Sequence, residues 1–224
     1  MLVERITWFI ISLRIGHENM PLPSALGKLA GYNVSLPFIL SILLILEREG
    51  PIGRYTVSRW LKISEGVTRG LLRRLCERNL ATSLRAGTLL TDRGKHILHE
   101  ALRLLGVVAI KALPLSGLSK GSANLVAQIR GFEGSLGICL EERDVAVRYG
   151  AKGAVIMRYT SGTITVPGVY ADLRVRHPDE DYILRREFDL IDGDLLVVVF
   201  NHNEWALAPS LFAIALKLKG YLTI

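Results

Sequence analysis

SEGVTRGLLRRLCERNL, residues 64–80, decides how the first half of this chain folds. Ser64 suits a helix N-cap, because its hydroxyl can accept from an N–H of the first turn that has no partner within the helix. Val67, Leu71 and Leu75 recur at i, i+4 spacing with Leu72 beside them, which predicts one apolar face. At about 100° per residue, Glu65, Gly66, Arg69 and Arg73 fall on the opposite, solvent side. A helix with one side for a core and the other bearing arginines suits a DNA groove.

The flanks complete a pattern. Upstream, PFILSILLILERE (37–49) predicts a strongly apolar helix, with Pro37 in its first turn and Gly50-Pro51 as an abrupt stop. A shorter helix over 54–62 turns Val57, Trp60 and Leu61 inward, and Ile63-Ser64 leads into the third helix. Downstream, ATSLRAGTLLTDRG predicts extended segments at 81–85 and 88–91 around an Ala86-Gly87 turn. A helix over 92–105 follows, bearing Ile97, Leu98, Ala101, Leu102 and Leu105. Three helices with a tight second turn, then a hairpin, make a winged helix-turn-helix over residues 36–105. LLTDRGKHIL (89–98) resembles the L-T-x-x-G wing ending that recurs in winged-helix transcription regulators.

Charge is distributed to match. The 224 residues carry a formal +7, with 15 Lys+Arg against 8 Asp+Glu in residues 1–106 and 13 against 13 in residues 107–224. A basic module joined to a neutral one predicts that the first half meets a polyanion. The length suffices for two domains, each with its own core. Cys76 and Cys139 form no C-x-x-C pair, which argues against zinc ribbons and disulfide scaffolds and fits a cytoplasmic protein. The apolar run 6–13 is too short to span a bilayer, and no A-x-A-like cleavage site follows it. Residues 1–16 predict an amphipathic helix that either packs on its own domain or makes a dimer contact; residues 17–35 read as a loop with a short helix.

After Gly106 the helical period gives way to strand signals. Strands are expected at 107–115 and 123–131, then a helix at 141–149 ended by Gly150. Strands at 154–160 and 163–168 flank Ser161-Gly162, and residues 171–181 are a polar excursion. DYILRREFDLI (181–191) and LLVVVF (195–200) read as two more strands around Asp192-Gly193-Asp194, before a last helix at 206–219. Residues 106–224 thus form an α+β domain, a largely antiparallel sheet with helices on one face.

This layout is similar to an archaeal family of predicted transcriptional regulators of uncharacterised function. Those proteins join a winged helix to an α+β domain likened to the insert domain of bacterial aspartyl-tRNA synthetases. The resemblance rests on LLTDRG, ERDVAVRYGAKGAVI (142–156) and GDLLVVVFNHNEWALAPSLFAIAL (193–216), and it covers residue 36 to the C-terminus. It implies a regulator and supplies no ligand or catalytic residues.

The expected chemistry is binding. Residues 54–95 hold ten basic groups and three acidic ones. Arg69 and Arg73 are placed to make paired hydrogen bonds to guanine O6 and N7, with Glu65 and Thr68 reaching base edges or a phosphate. Arg54, Tyr55, Thr56, Ser58 and Arg59 on the second helix, and Arg85 and Thr88 on the hairpin, are expected on the phosphate backbone of double-stranded DNA. A homodimer is expected because one module reads only a half-site. The alternative is an adaptor whose winged helix binds protein.

No G-x-x-x-x-G-K-[ST] loop or G-x-S-x-G elbow occurs, so an enzyme is the weakest reading, and no metal or cofactor is expected. His96 and His99 read as surface or packing histidines. Asn201, His202, Asn203 and Glu204, with Asp144 or Arg148 from another helix, are the candidate site for a small-molecule effector. The competing reading is a polar turn that caps the last helix. His177, Asp179, Glu180 and Asp181 read as a solvated loop.

Overall fold

The computed structural model describes residues 36–119 and 123–222. The chain has a two-domain α+β architecture, dividing between residues 104 and 105 into two compact units. The amphipathic helix expected over residues 1–16, with the dimer contact considered for it, and the loop expected over 17–35 lie outside the described residues.

The first unit runs α1 (Leu36–Glu49), α2 (Arg54–Leu61), α3 (Glu65–Glu77), β1 (Ala81–Leu84), β2 (Gly87–Leu90) and α4 (Asp92–Leu104). Ile39, Leu40 and Ile42 through Leu46 of α1 are buried, and α1 packs on α2, β2 and α4. The hairpin pairs Leu84 with Gly87, so its turn residues are Arg85 and Ala86 rather than Ala86 and Gly87. Gly87 is fixed by the residues before α2. Ile52 exchanges two 2.9 Å backbone hydrogen bonds with Thr88, and a Cβ on Gly87 would lie 2.5 Å from the Ile52 carbonyl carbon. At the other end of the hairpin, Thr91 Oγ1 donates to Asn79 O (2.7 Å) and accepts from Gly94 N (3.1 Å), which caps α4.

The second unit runs β3 (Val107–Ala112), α5 (Ser116–Ser119), β4 (Ala123–Ile129), α6 (Leu140–Arg148), β5 (Gly153–Thr160) and β6 (Thr163–Thr165). It continues with α7 (Leu173–Arg176), α8 (Pro178–Glu187), β7 (Leu195–Asn201), a 3₁₀ turn (Trp205–Leu207) and α9 (Ala208–Leu218). The five strands stand in the order β3-β4-β7-β5-β6, each pair antiparallel.

Two expectations fail here. The strand expected at 181–191 is the helix α8. Pro178 stands in its first turn, Asp179, Glu180 and Asp181 follow at the positive end of the helix dipole, and Arg185 and Arg186 close the last turn. Helices also cover both faces of the sheet, not one. Leu173, Leu184 and Phe188 of the α7–α8 layer pack with Val126, Met157, Leu196 and Val198. The alternate residues Leu195, Val197 and Val199 point the other way, where α9 lies on β4 and β7 and α6 lies on β5. Burial on both sides explains why β7 is a continuous apolar run instead of an alternating one.

Candidate nucleic-acid interface

Helix α3 is turned relative to the expected phase. Thr68, Leu71, Leu72 and Leu75 are buried, an i, i+3, i+4, i+7 set, while Val67 is 37% exposed. Thr68 goes inward because its hydroxyl donates to Ser64 O (3.1 Å), which satisfies the polar atom without a distant partner. Ser64 is the N-cap, its Oγ accepting from Val67 N at 3.3 Å. Glu65, Gly66, Arg69 and Arg73 are exposed as expected. Arg73 Nε lies 3.4 Å from Glu77 Oε1, an exposed pair of small energetic worth.

On α2, Arg54, Tyr55 and Arg59 are exposed and Thr56 is half-buried. The Arg54 guanidinium sits 4.6 Å from the Tyr55 ring centroid and donates to the Tyr55 hydroxyl at 2.8 Å. Arg85 is exposed at the hairpin tip. α3 packs on both α2 and β1, so the elements that carry or border these side chains adjoin. Arg59, Arg69 and Arg85 have no acidic partner among the described residues.

Three residues expected on this surface are not there. Ser58 is buried and donates to Ile63 O at 2.7 Å, which ties α2 to the turn before α3. Thr68 is fully buried, and Thr88 is buried under the bridge to Ile52. All three serve the fold. Two apolar side chains face outward instead, Val67, which was expected on the buried side, and Leu84; the i, i+3, i+4, i+7 template fits Thr68 better than Val67.

The second candidate site lies at the end of β7. Asn201 Nδ2 donates to Gly150 O (2.5 Å), its Oδ1 accepts from His202 N (2.7 Å), and Asn203 Oδ1 accepts from Trp205 N (3.1 Å). Both amides are thus engaged in the turn and in the start of the 3₁₀ segment. His202 Nε2 lies 2.5 Å from Lys152 Nζ, so that ring nitrogen accepts. Asp144 is exposed and bonded to Arg143 at 3.1 Å, and Arg148 is exposed.

Burial pushes the Glu204 carboxyl above its ordinary range. An acid whose pKa is raised by folding stabilises the protein while protonated and loses that contribution as pH rises. Glu204→Gln is therefore expected to raise the melting temperature at neutral pH. The gain should disappear as pH falls through the ordinary carboxylate range, and a gain that persists there counts against this account.

The 177–181 segment is not a solvated loop. Glu180 and Asp181 are buried: Glu180 Oε1 accepts from Gly117 N (2.7 Å), and Asp181 accepts from Arg185 Nε (2.7 Å) and Nη2 (3.0 Å). Those hydrogen bonds push the Arg185 guanidinium further up. His177 Nε2 lies 3.3 Å from the Tyr170 hydroxyl, and Asp179 is exposed. Among the described residues no three His, Cys, Asp or Glu side chains gather as metal ligands, and no helix is long and apolar enough to cross a membrane.

Residues 37–96 match the family model described as "PH0730-like, N-terminal domain", and residues 120–218 match a "Domain of unknown function (DUF4443)". Each stretch is thus similar to a domain family whose description names no function. A solved structure, "Hypothetical protein PH0730 from Pyrococcus horikoshii OT3", is similar at 24% identity with a TM-score of 0.67. The match covers 84% of this chain and 94% of that one, and it shows a shared fold. No curated protein sequence matches the chain. The two family matches fall either side of the 104–105 division, one in each unit.

Proposed function

We propose that this chain is a DNA-binding transcriptional regulator. In this reading α1–α3 and the β1–β2 hairpin form a winged helix, α3 is the recognition helix, and the second unit senses an effector or assembles copies. The observation that carries it is the set of exposed guanidinium groups on adjoining elements, Arg59, Arg69 and Arg85, which have no acidic partner among the described residues. The outer line of α3 supports it further. A Cβ on Gly66 or Gly70 would meet nothing within 4 Å, so no packing inside the domain requires glycine there, yet each costs roughly 1 kcal/mol in helix propensity.

Selection of genomic duplex fragments by the full chain at graded salt tests the proposal. Roughly five phosphate contacts give a slope near −4.5 in log K against log salt, a roughly 10²–10³-fold loss of affinity between 50 and 200 mM. Absence of binding at 50 mM, or binding indifferent to salt, overturns it.

A second reading is favoured by a different observation. Tyr55 (57%), Val67 (37%) and Leu84 (50%) are exposed large apolar side chains on the same three elements. An adaptor that uses this surface for protein would bury them and show no fragment binding.

A further inference from the structure

Helix α6 presents to solvent a stripe whose order is its own complement. Leu140, Arg143, Asp144 and Val147 fall within about 100° of the helix circumference. Leu140 and Val147 are each 48% exposed, and the Arg143 and Asp144 side chains are 53% and 60% exposed. The inward side is already satisfied. Val145 and Ala146 are buried, Ser210 Oγ donates to Ala146 O (3.0 Å), and Lys217 holds Glu141 (2.8 Å) and Glu142 (2.7 Å). Apolar surface continues beyond the helix. Ile138 is exposed, as is Val169, and Ile138 Cγ2 lies against Gly168, where a Cβ would be 2.8 Å away.

We infer that α6 is the contact of a homodimer, two copies lying antiparallel about a two-fold axis between Arg143 and Asp144. The stripe reads apolar, positive, negative, apolar. Laid antiparallel on a second copy about that axis, it sets Leu140 opposite the partner's Val147 and Arg143 opposite the partner's Asp144. An isologous interface needs a surface complementary to itself, and this stripe is one. An unrelated partner has no need of such symmetry. In the single chain Arg143 Nη2 bonds Asp144 Oδ1 at 3.1 Å, a contact between successive residues that do not face each other along a helix. Across the axis the same groups form two intermolecular pairs, each flanked by apolar side chains that exclude water. The inference does not depend on DNA.

Charge exchange tests it on the full-length chain by sedimentation between about 1 and 100 μM. The wild type should show a concentration-dependent monomer–dimer equilibrium. Arg143→Glu sets two acids against each other across the axis, and Asp144→Arg sets two bases; each should weaken self-association at least about tenfold. Mixed in equal amounts, the two variants regain both complementary pairs and should form a heterodimer. A chain with both exchanges should self-associate as the wild type does. Circular dichroism checks that the exposed substitutions leave the fold intact. A wild type monomeric throughout the range, single variants that dimerise unchanged, or a mixture that stays monomeric would each overturn the inference.

Discussion

Replacing Arg69 and Arg73 together by Ala is expected to abolish sequence preference among genomic fragments while leaving weak, salt-sensitive affinity. Both side chains lie on the solvent side of α3, one turn apart, where guanidinium groups can bond guanine O6 and N7. Each good bidentate contact is worth about 1–3 kcal/mol of discrimination against the wrong base, so two removed contacts should cost roughly 30-fold to 10⁴-fold. The larger share should fall on Arg69, which has no acidic partner among the described residues, whereas Arg73 must first release Glu77. That exposed pair is worth only about 0–1 kcal/mol, so the difference between the two arginines should be small. Exposed substitutions of this kind change stability by about 0.5 kcal/mol or less, and the melting temperature should stay within a few degrees of wild type. Replacing Arg54 and Arg59 instead should weaken binding evenly across fragments, because phosphate contacts position the protein without reading bases. A double Arg69/Arg73 variant that selects the same fragments with the same strength refutes the recognition-helix assignment.

Some of this architecture is legible in the sequence, for identifiable reasons. The α1 boundaries follow from an apolar run closed by Gly50-Pro51, and the α3 start follows from Ser64, because caps and breakers act locally. The phase of α3 was misread because hydrophobicity alone favours Val67 over Thr68. A threonine can be buried when its hydroxyl returns to the preceding turn, and that is the case here. The α8 segment was misread because its apolar residues suit either period at that length. Pro178 and the three acids after it were the discriminating local signal. Missing α8 also removed one covering layer, which is how helices came to be expected on a single face. The candidate DNA surface was legible where charge alone places a side chain outside, as with Arg54, Arg59, Arg69, Arg73 and Arg85. It was not legible for Ser58 and Thr88, whose partners Ile63 and Ile52 are set by tertiary packing. Long-range ion pairs gave no signal at all. The side-chain partners of Asp194 lie more than 60 residues earlier in the chain.

That last cluster carries the largest expected effect on stability. Asp194 is 1% exposed, at the turn into β7. Its carboxylate accepts from Gln128 Nε2 (2.6 Å), Arg130 Nε and Nη2 (both 3.0 Å) and Ile191 N (3.1 Å). Arg130 and Gln128 also donate to Asp189 O, at 2.9 and 2.7 Å, and Tyr159 N donates to Asp194 O at 2.9 Å. The carboxylate thus joins the end of β4 to the loop entering the central strand, and the backbone carbonyl of the same residue ties that loop to β5. The same bonds push the Arg130 guanidinium further up, so it stays charged. Asp194→Ala leaves that charge without its counter-charge and leaves the Arg130 and Gln128 donors only the Asp189 carbonyl, at an expected cost of about 3–5 kcal/mol. Domains are stable by only about 5–15 kcal/mol, so the second unit should unfold at markedly lower denaturant than in the wild type. Asp194→Asn keeps one acceptor oxygen and should fall between. Pairing Asp194→Ala with Arg130→Met removes the stranded charge and should recover part of the loss, since an apolar replacement of a buried ion pair is often close to neutral. If Asp194→Ala shifts the unfolding midpoint no more than an exposed substitution does, the carboxylate does not hold this junction together.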